Sequence, residues 1–516
     1  MKLAGRVAII VTVRERFGTT VRCLEPLIAH TPRNVPIVLV MPPGGDRIRG
    51  RIDALAVRRA IRIVAGDGAN THNADRNLGA QHVPAVEYLV FVENDTIVTR
   101  RWLERLVARA DATGADLVGP LVLSGRVGEN IVHSGGNEFE LGPDGDGRIG
   151  AIERHRAVGK PLRIAREKVR EDFLSDVEFH CFLLRESRFR SLGGFDAASE
   201  VCDHMDAGQS IARQGGRLLF APSATVTYLE HADYDLADMA EHIDRWAAIK
   251  ARDPVGRFAR KYGIDPLSRF MRDKLAWMDY HAEIADIRRR PAADVPPRNL
   301  IAATELVHVA ELLDAQARAA GFSGMAHTRI VHYAHMAADF LTPAGLPGSV
   351  PTLHRSIRAA SLLLAHGAPL TPILGALAHA TYDVGRFADR RILRRLWRRR
   401  PHWRQRYEVS RRIDWRFEAL AVDCSLASWA GTPAPTDQAT LSAYDSNRAT
   451  ALLIRVADAV AQGMIGAPPP PRTRELAAVA QHARAVLPVL GYGALADDFA
   501  VLVTTPETVP KATLAS

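Results

Sequence analysis

The sequence contains no apolar run of about 18 residues, so we predict no transmembrane span. Its N-terminal stretch lacks a separate signal-peptide core and a small-residue cleavage site. Cysteine is rare, and its spacing is unlike that of metal ligands, which is typical of reduced thiols. Together these absences predict a cytoplasmic protein whose membrane contact is at most peripheral. The four cysteines are Cys23, Cys181, Cys202 and Cys424.

The length and charge of the chain limit its class and its partners. At 516 residues, it can hold two to four domains of about 150 residues each. Its hydrophobic content of 47% and charged content of 24% are ordinary for globular proteins. The net charge of +9 favours an anionic partner, such as a nucleotide, an anionic polymer or a membrane surface.

Strand-like and helical patterns alternate through the first half. Apolar runs rich in β-branched residues predict buried strands at residues 7–13, 36–41, 61–64 and 88–92. Helical spacing predicts intervening helices at residues 19–29, 51–59 and 70–81. Strands that alternate with helices predict an α/β domain with a mostly parallel, Rossmann-like sheet.

The fourth strand-like run ends abruptly in Glu93-Asn94-Asp95. Open α/β sheets bind ligands at the carboxyl ends of their strands. Two carboxylates at positions i and i+2 can hold a hard divalent cation beside a diphosphate. The alternative is an acidic turn in which Asp95 or Thr96 caps a helix that begins near Arg101.

Four further segments, in order along the chain, complete a recognisable set of motifs. They are Thr12-Val13-Arg14-Glu15, residues 73–80 around Arg76, Gly193-Gly194-Phe195-Asp196, and residues 203–208. With Glu93-Asn94-Asp95, they resemble the motifs of the family 2 glycosyltransferases of the GT-A fold. The order and spacing of the five segments over about 200 residues carry the resemblance.

The resemblance implies transfer of a sugar from a nucleotide-diphosphate sugar to a hydroxyl of a glycan or glycoconjugate acceptor, usually with inversion. The expected context is bacterial glycan synthesis. A Mg²⁺ or Mn²⁺ ion would stabilise charge on the leaving diphosphate. The implied metal ligands are Asp95, Glu93 in place of the family's first aspartate, and His231, where some relatives place a ligand. The implied donor-binding residues are Thr12, Arg14, Glu15, Arg76, Glu93 and Asn94.

The resemblance leaves the catalytic base open among Asp203, His204 and Asp206. A carboxylate or a histidine can take the proton of the acceptor hydroxyl. His204 stands where the family normally has its aspartate base, and Asp206 can alternatively cap a helix over residues 207–213. These departures admit a second hypothesis, a catalytically weakened protein that binds nucleotide sugars. Residues 135–170 read as an irregular hairpin or loop region that shapes specificity.

A change in composition predicts a domain boundary. Residues 288–300 form a linker rich in arginine and proline, after a first domain over residues 1–287. Residues 301–503 are predicted to form an all-helical domain, and residues 504–516 a loose tail. The expected helices cover residues 302–320, 325–340, 353–366, 373–380, 407–427, 445–462 and 475–487.

The second half carries polar residues of its own. His379, Tyr382 and Asp383 have the i, i+3 and i+4 spacing of one helix face. With His354 and Asp458, they resemble the pattern of HD-domain phosphohydrolases, but Ala380 stands where the paired aspartate is expected. We therefore predict a degenerate HD-like domain. The alternatives are a working nucleotide phosphohydrolase and a set of buried polar residues that satisfy each other.

Thirteen arginines and three tryptophans lie between Arg386 and Arg416. Such a segment can bind phosphates, an anionic glycan or an anionic membrane surface. Nucleic acid is not expected as a partner, because no nucleic-acid-binding motif accompanies the charge. A solvated pair of basic helices is the alternative.

Overall fold

The protein is described from a computed structural model. The structure describes residues 3–14, 16–43, 46–67, 71–229, 235–283, 286–290, 306–341, 349–382, 403–426, 429, 432–464 and 474–504. The chain forms two compact units. The first comprises Met1–Tyr234 and Asp238–Asp279, and the second comprises Asp235–Ala237 and Tyr280–Ser516. The boundaries predicted at residues 287, 300 and 503 stay predictions.

The first unit combines a large sheet with helices. In the described residues its strands β1 to β12 are Val7–Thr12, Ile37–Met41, Arg62–Ala65, Tyr88–Glu93, Thr96–Val98, Leu117–Ser124, Ile131–Ser134, Asn137–Pro143, Ile149–His155, Phe173–Leu174, Cys181–Arg185 and Leu218–Tyr228. Its helices α1 to α10 are Phe17–Ala29, Asp46–Arg59, His72–Gln81, Trp102–Thr113, Leu162–Ala165, Glu186–Ser191, Asp203–Arg213, Leu236–Ala251, Pro254–Tyr262 and Arg269–Glu283.

Ten of these strands form one mixed, mostly parallel sheet. The order is β10-β12-β6-β11-β4-β1-β2-β3, with β5 beside β12 and β7 beside β6. Strands β1, β2, β3 and β4 run parallel, as do β6 and β12, whereas β11 runs antiparallel between β4 and β6. Strands β8 and β9 form a separate antiparallel hairpin. The predicted GT-A-type α/β fold of the first domain is confirmed.

The central strand β4 is buried on both faces, as its apolar sequence predicts. Val90 and Val92 belong to one hydrophobic cluster, and Leu89 and Phe91 belong to another. Alternate residues of a strand point to opposite faces, so each face of the sheet has its own core. β4 pairs with β1 in a register that sets Thr12 opposite Glu93, and the polar ends of both strands meet at one edge.

Two predicted capping roles in the first unit are wrong. Helix α7 begins at Asp203 with Cys202 at its N-cap, so Asp206 lies inside the first turn. Arg101 occupies the N-cap of α4, and Thr96 begins the short strand β5 instead of capping that helix.

The second unit is helical, which confirms the predicted all-helical region. Its helices α11 to α20 in the described part are Leu306–Ala319, Gly324–Leu341, Ser349–Ala365, Leu370–Ala378, Trp403–Ser410, Trp415–Leu426, Gln438–Ser442, Ser446–Met464, Arg474–Val486 and Gly493–Thr504. A 3-10 helix, His379–Tyr382, follows α14 directly. None of the helices in the described residues combines the length and apolar character needed to cross a membrane.

Two helix predictions in the second unit need correction. The single helix expected over residues 407–427 is two helices, because the Asp414 side chain accepts a hydrogen bond from the Arg416 backbone N–H at 3.0 Å and starts a new helix. Helix α14 ends at Ala378, so the regular α-helical face expected for His379 and Tyr382 is replaced by a tighter 3-10 turn.

Gly79 allows α3 to pack closely on the sheet. A Cβ atom at this position would overlap Ile10 Cγ2 and lie 3.0 Å from Val40 Cγ2. We therefore expect Gly79→Ala to lower the free energy of unfolding of the first unit by about 1–3 kcal/mol. Hydrogen exchange of β1 and β2 amides in the full chain measures this loss.

Gly50→Ala in α2 is the matched control. Gly50 is exposed in a helix and an added Cβ atom would meet no neighbour, so we expect this change to stabilise its helix by up to about 1 kcal/mol. Equal effects of the two substitutions would contradict a packing role for Gly79.

Candidate active site

The polar residues after β1 and β4 form the floor of the candidate site. The Asn94 backbone N–H donates to Thr12 O at 3.2 Å, which closes the edge between the two strands. The Asn94 side chain donates to Thr20 Oγ1 at 3.0 Å and therefore faces α1. Among the expected donor-binding residues, the buried Thr12 and Asn94 thus build the strand edge itself.

Glu93 lies at the centre of a buried network. Its Oε1 accepts hydrogen bonds from Arg76 Nη2 at 2.8 Å and Arg14 Nη2 at 3.3 Å. His72 Nδ1 lies 3.0 Å from Oε1, and His180 Nδ1 lies 2.9 Å from Oε2. Burial opposes ionisation, but His72, His180 and Arg14 hold the pKa of this carboxyl group well below its usual range. Glu93 is therefore an ionised carboxylate with both oxygens engaged by protein groups.

Asp95 differs from Glu93 because one of its oxygens lacks a partner. Its Oδ2 lies 3.5 Å from Arg16 Nη1, whereas its solvent-shielded Oδ1 has no hydrogen-bond partner in the described residues. Burial raises the pKa of Asp95, Arg16 opposes that shift and Glu93 adds to it. The ligand atoms of Glu93, Asp95 and His180 lie within 4.8 Å of one another. An unpaired carboxylate oxygen in such a group fits a divalent cation.

Arg76 links the strand edge to α7. Its side chain is 1% exposed, and it donates to Glu93 through Nη2 and to Asp203 Oδ2 through Nη1 at 2.7 Å. Its guanidinium also lies 4.6 Å from the centre of the Phe179 ring. Burial would raise the pKa of Asp203, but the charge of Arg76, the hydrogen bond and charge of His204 and the charge of Arg14 together lower it.

Helix α3 is also tied to the glycine turn that follows α6. The Asn77 side chain donates to Phe195 O at 2.8 Å and accepts from Phe195 N at 2.9 Å. Gly194 has φ of +89°, and a Cβ there would lie 2.9 Å from Asn77 Oδ1, so both conformation and space favour glycine. The motifs around Arg76 and Gly194, distant in sequence, are therefore neighbours in the fold.

The three candidate bases have different environments. Asp203 faces Arg76, while His204 Nε2 lies 3.0 Å from Glu153 Oε1 and 3.5 Å from Asp176 Oδ2. Burial opposes protonation of His204, but Asp176 and nearby carboxylates raise the pKa of the imidazole well above its usual value. The ring is therefore held protonated in this arrangement.

Asp206 lies in a separate cavity. Its Oδ1 accepts a hydrogen bond from Tyr262 OH at 2.8 Å and lies 2.6 Å from Lys261 Nζ. The cavity has a volume of about 230 Å³ and is also lined by Asn73 and Asp196. The three candidate bases thus lie on the same helix, α7, but contact different sets of residues.

The structure adds residues that the sequence analysis did not single out. Glu153 and His155 on β9, in the segment interpreted as a specificity loop, lie beside Glu178 and His180. The repeated Glu-x-His pattern was the available signal. In a strand, residues two apart share a face, so Glu153 and His155 point the same way.

The comparisons with known proteins agree with the motifs. Residues 8–192 match the model of glycosyl transferase family 2. This match spans 185 of the 516 residues of the chain. The prediction that the protein is a glycosyltransferase is confirmed, whereas the prediction of an HD-like region is not confirmed.

Solved structures of other proteins also match this chain. The chain is similar to a crystal structure of GalNAc-T7 with UDP, GalNAc and Mn²⁺, with 19% identity and a TM-score of 0.35. The match covers 43% of this chain and 43% of that chain. A search of curated proteins found no match.

Several predicted site residues lie outside the described residues. In the glycosyltransferase domain these are Glu15 and His231, and in the second unit the same holds for Asp383. Most of the arginine-rich segment, residues 386–402, also lies outside them. In its described part, Arg406 forms an ion pair with Glu418 at 2.7 Å.

The HD-like candidates of the second unit separate into two groups. His379 Nε2 lies 3.7 Å from Asp458 Oδ1, but Arg355 Nε is closer to that oxygen, at 2.8 Å. Tyr382 OH instead donates to Glu418 Oε1 at 2.5 Å.

Three or more potential metal ligands do not gather around His354, His379 or Asp458 within the described part of the chain. Arg355 instead forms an ion pair with Asp458, the aspartate that an HD-type metal site would use. The degenerate HD-like fold stays a prediction.

Arg76 of the glycosyltransferase domain generates a stability prediction. Its removal in Arg76→Met takes one buried cation away from both Glu93 and Asp203, and we expect a loss of about 3–5 kcal/mol at pH 7. Both carboxyl groups have depressed pKa values in the fold. Their stabilisation is present above the unfolded values near 4 and is lost as pH falls through the folded values.

The difference between wild type and Arg76→Met in the free energy of unfolding should therefore begin to narrow below about pH 5 and continue to narrow as the pH falls through the depressed folded pKa values of Glu93 and Asp203. Hydrogen exchange of the β4 amides in both chains measures this difference in stability. Arg49→Met is the control, because Arg49 forms an exposed i,i+4 pair with Asp53 on α2 and its loss should change stability by less than about 0.5 kcal/mol. A loss as small as that of the control, or one independent of pH, would contradict the role of Arg76.

Proposed function

We propose that this protein transfers a sugar from a nucleotide-diphosphate sugar to a hydroxyl group of a glycan or glycoconjugate acceptor, in bacterial glycan synthesis and with inversion. The family 2 domain over residues 8–192 supports the reaction class. The single observation that carries the site is the unpaired Oδ1 of Asp95 at the carboxyl edge of β1 and β4. That edge is where open α/β sheets bind ligands.

Asp95 is the proposed ligand of a Mg²⁺ or Mn²⁺ ion. Such ions use one or two carboxylates together with substrate phosphates. When bound, the ion supplies positive charge to the leaving diphosphate. Because both oxygens of Glu93 are engaged by arginine and histidine, its proposed main role is to hold Arg76 and Arg14 in place.

Arg14 and Arg16 provide positive charge beside the proposed diphosphate position. Arg16 is 2% exposed and donates to Leu229 O at 3.1 Å, which fixes its guanidinium next to Asp95. Arg14 is fixed by its bond to Glu93. Guanidinium groups bind phosphate oxygens through paired donors, so both residues are proposed to orient the donor.

Asp203 is the proposed base. It is joined to Glu93 through Arg76, which sets its carboxylate next to the donor side of the site. Its carboxylate is ionised and can accept a proton, and the same pairing with Arg76 that lowers its pKa also weakens it as a base. His204 is protonated, so we assign it a positioning role, and Asp206 lies in a separate cavity with Tyr262 and Lys261, so we assign it no proton transfer.

Asp95→Asn tests the metal site. We expect the wild-type chain to show a larger rise in melting temperature with a nucleoside diphosphate and Mn²⁺ together than with either alone, because binding to the folded state stabilises it. At a ligand concentration 100 times Kd the gain is about 2.7 kcal/mol. The variant should lose the Mn²⁺-dependent part, whereas Asp53→Asn, in an exposed pair on α2, should keep it.

The same melting-temperature measurement is made with a panel of nucleoside diphosphates and nucleotide sugars to identify the donor. An absent Mn²⁺-dependent shift with every donor would contradict the proposal. Binding of a donor without its turnover would instead support the second hypothesis, that the protein binds nucleotide sugars but is catalytically weakened.

The base assignment predicts unequal losses of activity. Asp203→Asn should lower kcat by about 10²–10⁴-fold, the usual contribution of a general base. His204→Gln keeps a polar side chain on α7 and should lower kcat by less than about 10-fold. Donor turnover at saturating substrate measures both, and the reverse order of losses would transfer the base role to His204.

A further inference from the structure

A second polar cluster lies beside the proposed donor site. Three imidazole nitrogens face the carboxylate of Glu178. His155 Nε2 lies 3.2 Å and His133 Nε2 3.9 Å from its Oε1, and His180 Nε2 lies 3.7 Å from its Oε2. The His133 ring centre is 5.9 Å from that of His155 and 5.2 Å from that of His180. We call these four residues the histidine cluster.

The partners of Glu178 differ from those of Glu93, Asp203 and Glu153. Glu93 and Asp203 pair with Arg76, and Glu153 pairs with Lys274 at 2.5 Å. Among the described residues, all ion pairs of Glu178 are with histidines. A half-buried carboxylate surrounded by imidazoles has the composition of a metal site rather than that of an ordinary salt bridge.

The spacing of the ligand atoms fits a metal ion. Tetrahedral Zn²⁺ with bonds of about 2.0–2.1 Å to nitrogen and oxygen sets its ligand atoms roughly 3.3 Å apart. Each histidine nitrogen lies 3.2–3.9 Å from an oxygen of Glu178, whereas the ligand atoms of all four residues do not lie within 4.8 Å of one another, so His155 must move toward His133 and His180 to complete the set. The ligand atoms of His133, Glu178 and His180 lie within 4.8 Å of one another, as do those of Glu153, His155 and Glu178.

The orientation of His180 also suits ligation. Its Nδ1 lies 2.9 Å from Glu93 Oε2, a distance at which the ring donates a hydrogen bond to that carboxylate. This tautomer leaves a lone pair on Nε2, the atom that faces Glu178. A carboxylate that fixes the outer nitrogen is the usual support of a metal-bound histidine.

We propose that His133, His155, Glu178 and His180 bind a divalent transition-metal ion, distinct from the ion proposed at Asp95. Three imidazoles favour Zn²⁺ or a similar ion over Mg²⁺, whose preferred ligands are oxygens. His133 belongs to β7, His155 to the β8–β9 hairpin, and Glu178 and His180 precede β11. The ion therefore cross-links the hairpin to the main sheet and holds Glu153 against His204.

Metal binding to the full-length Asp95→Asn chain tests this proposal directly. The chain is stripped with a chelator, titrated with Co²⁺ and then competed with Zn²⁺. We expect one equivalent of Co²⁺ with the visible absorption of a nitrogen-ligated ion, displaced by Zn²⁺. This measurement leaves the cluster intact, so its outcome does not depend on whether a cluster variant folds. No bound equivalent in this background would overturn the proposal.

Variants then assign the ligands. In the Asp95→Asn background, His155→Gln and His133→Gln should each weaken Zn²⁺ binding by more than about 100-fold, beyond the effect of an outer-shell change. His30→Gln, at the end of α1, is the matched control and should bind like its parent. Circular dichroism verifies the fold of each chain. Unchanged affinity in folded cluster variants would show that the ion binds elsewhere and would refute the site.

Discussion

The buried charge of Arg76 is the constraint on which the candidate site depends. Its guanidinium is almost completely removed from water, and a buried charge is stable only when it is paired and hydrogen-bonded. The two carboxylates that pair with it come from β4 and α7, separated by more than a hundred residues. Their pairing fixes α3, β4 and α7 relative to one another. The proposed donor side and the proposed base therefore share one anchor.

The remaining carboxylates of this region are distinguished by the class of their partners. Glu93 and Asp203 pair with the Arg76 guanidinium as well as with histidines, whereas all ion pairs of Glu178 in the described residues are with imidazoles. Asp95 has an arginine on one oxygen and no partner on the other within the described part. Because the energetic cost of burying a carboxylate must be offset locally, these differences indicate different roles. The unpaired oxygen favours a hard ion beside phosphate, and the imidazoles favour a transition metal.

The same physical reasoning applies within the second unit. The closest charged neighbour of Asp458 is Arg355. The hydroxyl group of Tyr382 donates a hydrogen bond to Glu418. The hydrogen bond from Tyr382 to Glu418 agrees with the alternative that buried polar residues satisfy one another, whereas Asp458 Oδ1 has no hydrogen-bond partner in the described part of the chain. The helices themselves were predictable because apolar residues recur at helical spacing. The break at Asp414 was harder to predict, because one side-chain cap decided it.

The sequence by itself determined the α/β class of the first domain, the order of its strands along the chain and the motifs that bring Arg76 and Asp95 to one site. These features depend on local periodicity and on the rule that the carboxyl ends of parallel strands share an edge. Only the tertiary structure decided which carboxylate is engaged by arginine, which retains an unpaired oxygen and which histidines gather around Glu178. Those relations join residues far apart in sequence, and they depend on burial and side-chain geometry that no local pattern contains.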